Sequence, residues 1–76
     1  MASKVCRKLG VPLPGFEWLP PGTDVAYYDG MIHVAPDAHP EWVLHELAHH
    51  CAGLREGHGA GFSRHLTAVR RAWLDA

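Results

Sequence analysis

The most constraining feature of this sequence is a helix predicted over residues 39–52 that is apolar around most of its circumference. Pro40 suits the first turn of a helix, where its missing N–H costs nothing, and Gly53 suits the end. The apolar residues of this segment are Trp42, Val43, Leu44, Leu47, Ala48 and Cys51. In a chain of 76 residues, a helix with so little polar surface belongs at the centre of the fold.

The remaining regular elements are predicted to surround this central helix. Residues 25–28 and 31–34 are short apolar runs separated by Asp29-Gly30, a pattern typical of a β-hairpin with a tight turn. A second helix is predicted over residues 60–74. Its apolar stripe at helical spacing consists of Phe62, Leu66, Val69 and Trp73. The predicted fold class is therefore α+β, with a hairpin or small sheet packed on the central helix and its successor.

The first third of the chain is predicted to be mostly irregular. Residues 3–9 can form two helical turns. The segment 11–23 is rich in proline and glycine and is predicted to be an ordered loop. The large apolar residues of this loop are expected to cover the core: Phe16, Trp18 and Leu19.

Length, charge and apolar patterning exclude several classes of protein. Residues 1–76 are predicted to form a single domain. The 7 Lys and Arg and 8 Asp and Glu give a net charge of −1, which argues against a nucleic-acid-binding protein. No apolar run reaches the roughly 18–20 residues of a membrane span, and residues 1–10 are positively charged without an apolar stretch, so no secretory leader is expected. We therefore expect a cytoplasmic protein with no membrane partner, while the sequence indicates no particular oligomeric state.

Two histidines four positions apart lie inside the predicted central helix. His45 and His49 are one turn apart on the same face, with Cβ atoms roughly 5–6 Å from each other. Both imidazoles can therefore reach one zinc ion at about 2.0–2.1 Å. Glu46 lies about 100° further around the helix, where its carboxylate can act as a general base on a water molecule beside the metal. The alternative is a pair of core histidines satisfied by hydrogen bonds.

A zinc site of this kind needs a third protein ligand and an open position for water. His58 follows His49 by nine residues, in a glycine-rich segment that lets the chain turn back toward the helix. Glu56 is the competing ligand, as in zinc sites with two histidines and a glutamate. A domain this short also gains stability from a bound metal, so the 7 histidines point to Zn²⁺ as the cofactor.

The combined pattern resembles that of a known family. The pentad His45–His49 (HELAH) followed by the segment His58–Phe62 (HGxxF) is similar to the motif of zincin metallopeptidases, specifically their SprT-type branch. The whole stretch HELAHHCAGLREGHGAGF is similar to small metallohydrolases of actinobacteria and their phages. Metzincins carry glycine and histidine where this chain has Ala52 and Arg55, so the resemblance does not extend to that branch.

The resemblance implies a minimal zincin-like domain with peptidase activity. It implies His45, His49 and His58 as zinc ligands and Glu46 as the catalytic base. The substrate is then expected to be a peptide or protein, whose backbone adds to an edge strand of the sheet by main-chain hydrogen bonds. The residues expected to form that edge strand are Met31, Ile32, His33 and Val34.

Other residues carry weaker signals. His65 lies two helical turns after His58 and, like Tyr28, is a candidate for stabilising the transition state. The alternative for His65 is a solvated surface position. His50 is expected to point away from the metal and to form a local hydrogen bond. The basic side of the last helix is typical of a solvated face and consists of Arg64, Arg70 and Arg71.

Two other functions are compatible with these motifs. A non-catalytic zinc module, derived from a peptidase fold, would bind a partner protein without cleaving it. Glu46 argues against that function, because a structural zinc site has no need of a carboxylate beside an open coordination position. A metal-dependent nuclease is disfavoured by the charge balance and by the motif spacing.

Overall fold

The computed structural model describes residues 2–53 and 57–74. In chain order its elements are α1 (Ala2–Leu9), β1 (Gly15–Trp18), β2 (Tyr27–Tyr28), β3 (Met31–Val34), α2 (Pro40–Ala52) and α3 (Ala60–Leu74). Within the described residues these form three helices and one three-stranded sheet, which confirms the predicted α+β class. None of the described helices has the length and apolar character needed to cross a membrane.

The ends of α2 are set by its sequence. His39 caps the N-terminus, since its Nδ1 accepts a hydrogen bond of 3.1 Å from the backbone N–H of Glu41, and Pro40 opens the first turn. At the other end Gly53 adopts a φ of 93°, which side chains other than glycine rarely adopt. Its N–H donates to the carbonyl of His49. The two caps define the helix of 13 residues that carries the HELAH pentad.

The strand Met31–Val34 lies in the middle of the sheet, whose order is β1-β3-β2. β1 pairs parallel with β3, with Phe16 opposite Ile32. β2 pairs antiparallel with β3 through a turn at Asp29-Gly30, where Gly30 has a φ of 110°. The backbone of β3 is therefore hydrogen-bonded on both sides. The expectation of an edge strand is wrong for its four residues, Met31, Ile32, His33 and Val34.

The segment 11–23 differs from the predicted loop, because Gly15–Trp18 forms β1. The many prolines of this segment make a strand difficult to predict from the sequence. They lie outside the four residues of β1, however, so the N–H groups of those residues remain available for pairing. The hydrogen bonds come from β3, so the strand depends on a partner that lies further along the chain. Phe16 packs against the core as expected, whereas Trp18 is 65% exposed and does not cover it.

The core lies between one face of the sheet and the inward faces of all three helices. The largest fully buried side chains are Val5, Cys6, Ile32, Val34, Leu44, Leu47 and Val69. α2 contributes Leu44 and Leu47, which have no exposed surface, so its predicted central position is confirmed. Arg70 on α3 forms an ion pair with Glu41 on α2. Since exposed pairs of this kind stabilise by only about 0–1 kcal/mol, apolar packing dominates the contact between α2 and α3.

Leu44→Ala should destabilise the fold strongly, because the Leu44 side chain is fully buried. Loss of a buried leucine leaves a cavity and costs roughly 2–5 kcal/mol. Leu13→Ala is the matched control, since Leu13 is 55% exposed and the same truncation there should change the free energy of unfolding by less than about 0.5 kcal/mol. Urea denaturation at equal metal loading measures both values. Equal losses of stability would show that the core has been wrongly assigned.

Candidate metal centre

Three histidines from two segments of the chain meet beside α2. His45 and His49 lie one turn apart on that helix, as the pentad predicts. His58 approaches them from the turn that precedes α3. One nitrogen from each ring lies within 4.8 Å of the other two, so the three imidazoles are close enough to hold a metal ion. The expectation that these three residues come together is confirmed.

The spacing of the three Nε2 atoms suits a cation better than hydrogen bonds alone. The Nε2 atom of His58 lies 3.3 Å from that of His45 and 3.1 Å from that of His49. A neutral imidazole carries its hydrogen on one nitrogen only, so three nitrogens that face one another cannot all be satisfied by hydrogen bonds. A cation among them can accept all three lone pairs, and imidazole is a good ligand for several transition metals. The donor set therefore fits a metal ion.

The surroundings of His45 and His49 favour the neutral imidazole. Burial lowers the pKa of each ring below the ordinary value for histidine. Repulsion from neighbouring cationic groups lowers the pKa of both rings further, with His58 contributing in each case. The neutral ring is the form whose lone pair binds a metal. Both side chains are therefore in the state that metal binding requires at neutral pH.

A buried phenylalanine contacts all three imidazole rings. The centroid of the Phe62 ring lies 4.9 Å from that of His45, 4.3 Å from that of His49 and 4.9 Å from that of His58. Phe62 is 4% exposed and belongs to the first turn of α3. Its ring limits the rotation of the imidazoles and excludes water from one side of the cluster. The sequence predicts only a core anchor at this position, because the contact arises when α3 packs on α2.

Glu46 is a further titratable group of the site. It lies on α2 between the two histidines of the pentad and is 3% exposed. Burial raises the pKa of Glu46 to about 7. A carboxyl group with such a pKa can accept and release a proton at neutral pH, which are the two properties required of a general base that later acts as an acid.

An open cleft gives access to the histidine cluster. It is lined by Ala26, Tyr27, Tyr28, His45, Glu46, His49, Gly57 and His58. One wall of the cleft belongs to β2, which pairs only with β3 among the described residues. The strand with a free edge beside the site is therefore Tyr27–Tyr28, and the predicted docking strand Met31–Val34 lies behind it in the sheet.

Tyr28 is connected to α2 through His50. The Tyr28 hydroxyl lies 2.8 Å from Nδ1 of His50, and Nε2 of His50 lies 2.7 Å from the carbonyl oxygen of Pro12. Because a carbonyl can only accept, Nε2–H is the donor to Pro12, and Nδ1 of the neutral ring accepts from the hydroxyl. His50 points away from the metal ligands as predicted, but its hydrogen bonds are not local, because Tyr28 and Pro12 lie 22 and 38 residues away along the chain. The hydroxyl hydrogen of Tyr28 points to His50, so this geometry does not support a transition-state role for Tyr28.

Two other predicted site residues do not belong to the histidine cluster. His65 is exposed on α3 and does not line the cleft, which agrees with the alternative of a solvated position. Glu56, the competing third ligand, lies outside the described residues. Among the residues that the structure describes, His58 is the third donor.

Comparisons with known proteins do not assign a family. No protein-family model matches the chain, and no match was found among curated proteins or solved structures. The functional inference therefore rests on the residues and geometry of the site.

Phe62→Leu should weaken metal binding while leaving the fold intact, because leucine keeps much of the buried volume but loses the flat contact with three imidazoles. Substitutions in the shell that orients metal ligands cost roughly 10–100-fold in affinity. Phe16→Leu is the matched control, since Phe16 packs on the core from β1 and does not contact the histidines. Competition with a chromophoric chelator gives the zinc dissociation constants. Equal constants for Phe62→Leu and the unmodified protein would exclude this positioning role.

Proposed function

We propose that this protein is a zinc-dependent peptidase that uses Glu46 as its general base. The observation that supports this function most is the convergence of His45, His49 and His58 in a cleft that also contains Glu46. Structural zinc sites usually have four protein ligands, whereas catalytic sites have three and keep one position open. Three donors that face an open cleft are therefore typical of a catalytic site.

Zinc is the metal that the donor set favours. Imidazole nitrogens bind zinc at about 2.0–2.1 Å, and tetrahedral geometry then separates neighbouring ligand atoms by about 3.3–3.4 Å. The measured Nε2 separations of 3.3 Å and 3.1 Å are close to that value. Calcium and magnesium prefer oxygen ligands, so a cluster of three imidazoles argues against both.

The mechanism assigns a separate role to each part of the site. A zinc ion held by the three histidines would supply a Lewis acid for the peptide carbonyl and would lower the pKa of a water molecule. Glu46 accepts the proton of that water at its carboxylate and then donates the proton to the departing amine. Glu46 lies on a different face of the helix from His45 and His49. Its carboxylate is therefore not needed as a metal ligand and remains available for proton transfer.

β2 is the strand that we assign to substrate docking. Tyr27 and Tyr28 line the cleft, and the outer edge of their strand has no partner among residues 2–53 and 57–74. A peptide that adds to this edge gains main-chain hydrogen bonds, which give affinity without dependence on sequence. The bond between Tyr28 and His50 fixes β2 relative to α2, so the docking strand keeps a constant distance from the metal ligands.

Removal of zinc should destabilise the protein, because the free energy of metal binding adds to that of folding. At a free zinc concentration of about 100 times the dissociation constant, the contribution is about 2.7 kcal/mol. His58→Ala should melt at the temperature of the chelated protein whether or not zinc is added. His65→Ala is the matched control at an exposed histidine and should keep the zinc-dependent rise in Tm. If His58→Ala kept that rise, Glu56 would become the candidate for third ligand.

Glu46→Gln should retain about one zinc ion per chain but lose peptidase activity, because the amide keeps the shape of the carboxylate and cannot accept a proton. Loss of a positioned general base lowers the rate by roughly 10²–10⁴-fold. Glu17→Gln is the matched control, since Glu17 is an exposed residue of β1 outside the cleft. Zinc content by elemental analysis and cleavage of a peptide library provide the two readouts.

The same experiment separates the peptidase from the non-catalytic zinc module. The module would be supported if the unmodified protein binds zinc and cleaves no peptide, and if the Glu46→Gln variant captures a partner protein as well as the unmodified protein does. An active unmodified protein whose rate is unchanged by Glu46→Gln would refute the assigned base.

A further inference from the structure

A buried histidine lies on the face of the sheet that points away from the core. In β3 the side chains of Ile32 and Val34 join the core, so His33 between them points to the opposite face. His33 is nevertheless only 6% exposed. The register of the sheet pairs it with Glu17 of β1 and with Tyr27 of β2. A carboxylate, an imidazole and a phenol therefore form one row across all three strands.

The ring of His33 is held from two directions. Its Nε2 atom lies 2.8 Å from Oδ1 of Asp29, and the same oxygen accepts a hydrogen bond of 3.2 Å from the backbone N–H of Met31. The ring of Tyr27 stacks on the imidazole, with centroids 4.2 Å apart and an angle of 11° between the two planes. One contact fixes the rotation of the imidazole and the other fixes its plane.

The contact with Asp29 decides which nitrogen of His33 carries the hydrogen. The hydrogen bond to His33, followed by the bond from the N–H of Met31, holds the pKa of the Asp29 carboxyl below its usual value. Asp29 is therefore ionised at neutral pH and can only accept a hydrogen bond. Nε2 of His33 is the donor, which leaves a lone pair on Nδ1 of the neutral ring.

Nδ1 of His33 lacks a hydrogen-bond partner. Among the side-chain nitrogen and oxygen atoms of residues 2–53 and 57–74, it is the only buried atom without one. Oε1 of Glu17 lies 3.8 Å from this nitrogen, but a carboxylate oxygen is an acceptor as well. Two acceptors that face each other, one of them buried, are unfavourable unless a donor or a cation lies between them.

We propose that Nδ1 of His33 and the carboxylate of Glu17 bind a divalent transition-metal ion, in addition to the ion of the three-histidine centre. Histidines that bind a metal almost always donate their other ring N–H to a carboxylate, a carbonyl or a water molecule. The hydrogen bond to Asp29 provides this second contact. Imidazole suits zinc, copper and nickel, whereas calcium and magnesium prefer oxygen ligands alone.

The separation of the two donors is within reach of one zinc ion. Nitrogen and oxygen ligands lie about 2.0–2.2 Å from zinc, which places tetrahedral neighbours about 3.3–3.6 Å apart. The observed 3.8 Å is slightly longer, and the side chain of Glu17 is 62% exposed and free to move closer to His33. Water molecules complete the coordination from the solvent side. The site therefore binds zinc more weakly than the three imidazoles do.

A metal ion in this position connects β1 to β3. β1 pairs only with β3 among the described residues, so a bridge between Glu17 and His33 adds a second link to the strand. Neither residue lines the cleft of the three-histidine centre. At one equivalent of zinc that centre fills first, and Glu17→Gln leaves its metal content unchanged. The proposal does not depend on peptidase activity, and each can fail without the other.

Isothermal titration calorimetry tests the second site, with zinc added to protein that already holds one equivalent. One further ion should bind per chain. Asp29→Asn should weaken this step by roughly 10–100-fold, the usual cost of losing the carboxylate that orients a histidine ligand. Glu17→Gln should weaken it at least as much, because a ligand is lost. Asp24→Asn is the matched control, since it removes the same charge from an exposed residue outside the row and should leave the affinity unchanged.

Nitrogen NMR of the histidine rings identifies the atom that binds the ion. The Nδ1 resonance of His33 should shift with the second equivalent of zinc, whereas the hydrogen on Nε2 should remain bonded to Asp29. The same titration of Glu17→Gln should leave the Nδ1 resonance unshifted. Circular dichroism of each variant checks that the fold is retained.

Three results would overturn the proposal. One is the absence of a second binding step in the titration. Another is an equal effect of Asp24→Asn and Glu17→Gln, which would indicate adventitious binding to surface carboxylates only. The third is an Nδ1 resonance of His33 that does not respond to zinc and shifts only on acidification, which would assign a proton rather than a metal ion to this position.

Discussion

The contact between Phe62 and the three imidazole rings is the interaction on which the rest of the site depends. α2 by itself provides His45 and His49, since helical spacing places them on one face. The third donor comes from a different segment and needs a tertiary contact to reach them. Phe62 follows His58 by four residues, so its burial against the histidines brings the preceding turn to the metal centre. Apolar packing thus assembles a polar site.

The sheet sets the other wall of the cleft. β1 occupies one side of β3, so β2 forms the edge that borders the histidines. A strand of two residues is held weakly by its own hydrogen bonds, and the bond from Tyr28 to His50 connects it to α2. His50 in turn donates to Pro12, which ties the segment before β1 to the same helix. His50, the residue next to the proposed ligand His49, therefore holds the two walls of the cleft together.

The sequence by itself determined the elements whose signals are local. The helix around the HELAH pentad, its caps, the turn at Asp29-Gly30 and helix α3 follow from spacing within a few residues, and the structure contains all of them. The apolar stripe of α3 is only partly correct, because Trp73 is exposed and does not join the core. The pairing of His45 with His49 follows for the same reason. The tertiary structure alone decided the central position of β3 in the sheet, because β1 exists only through its pairing with β3. The prolines around β1 leave no strand pattern in the sequence from which that pairing could be predicted. The tertiary structure also decided the contact between α1 and α3, since these helices lie at opposite ends of the described chain and only packing brings them together.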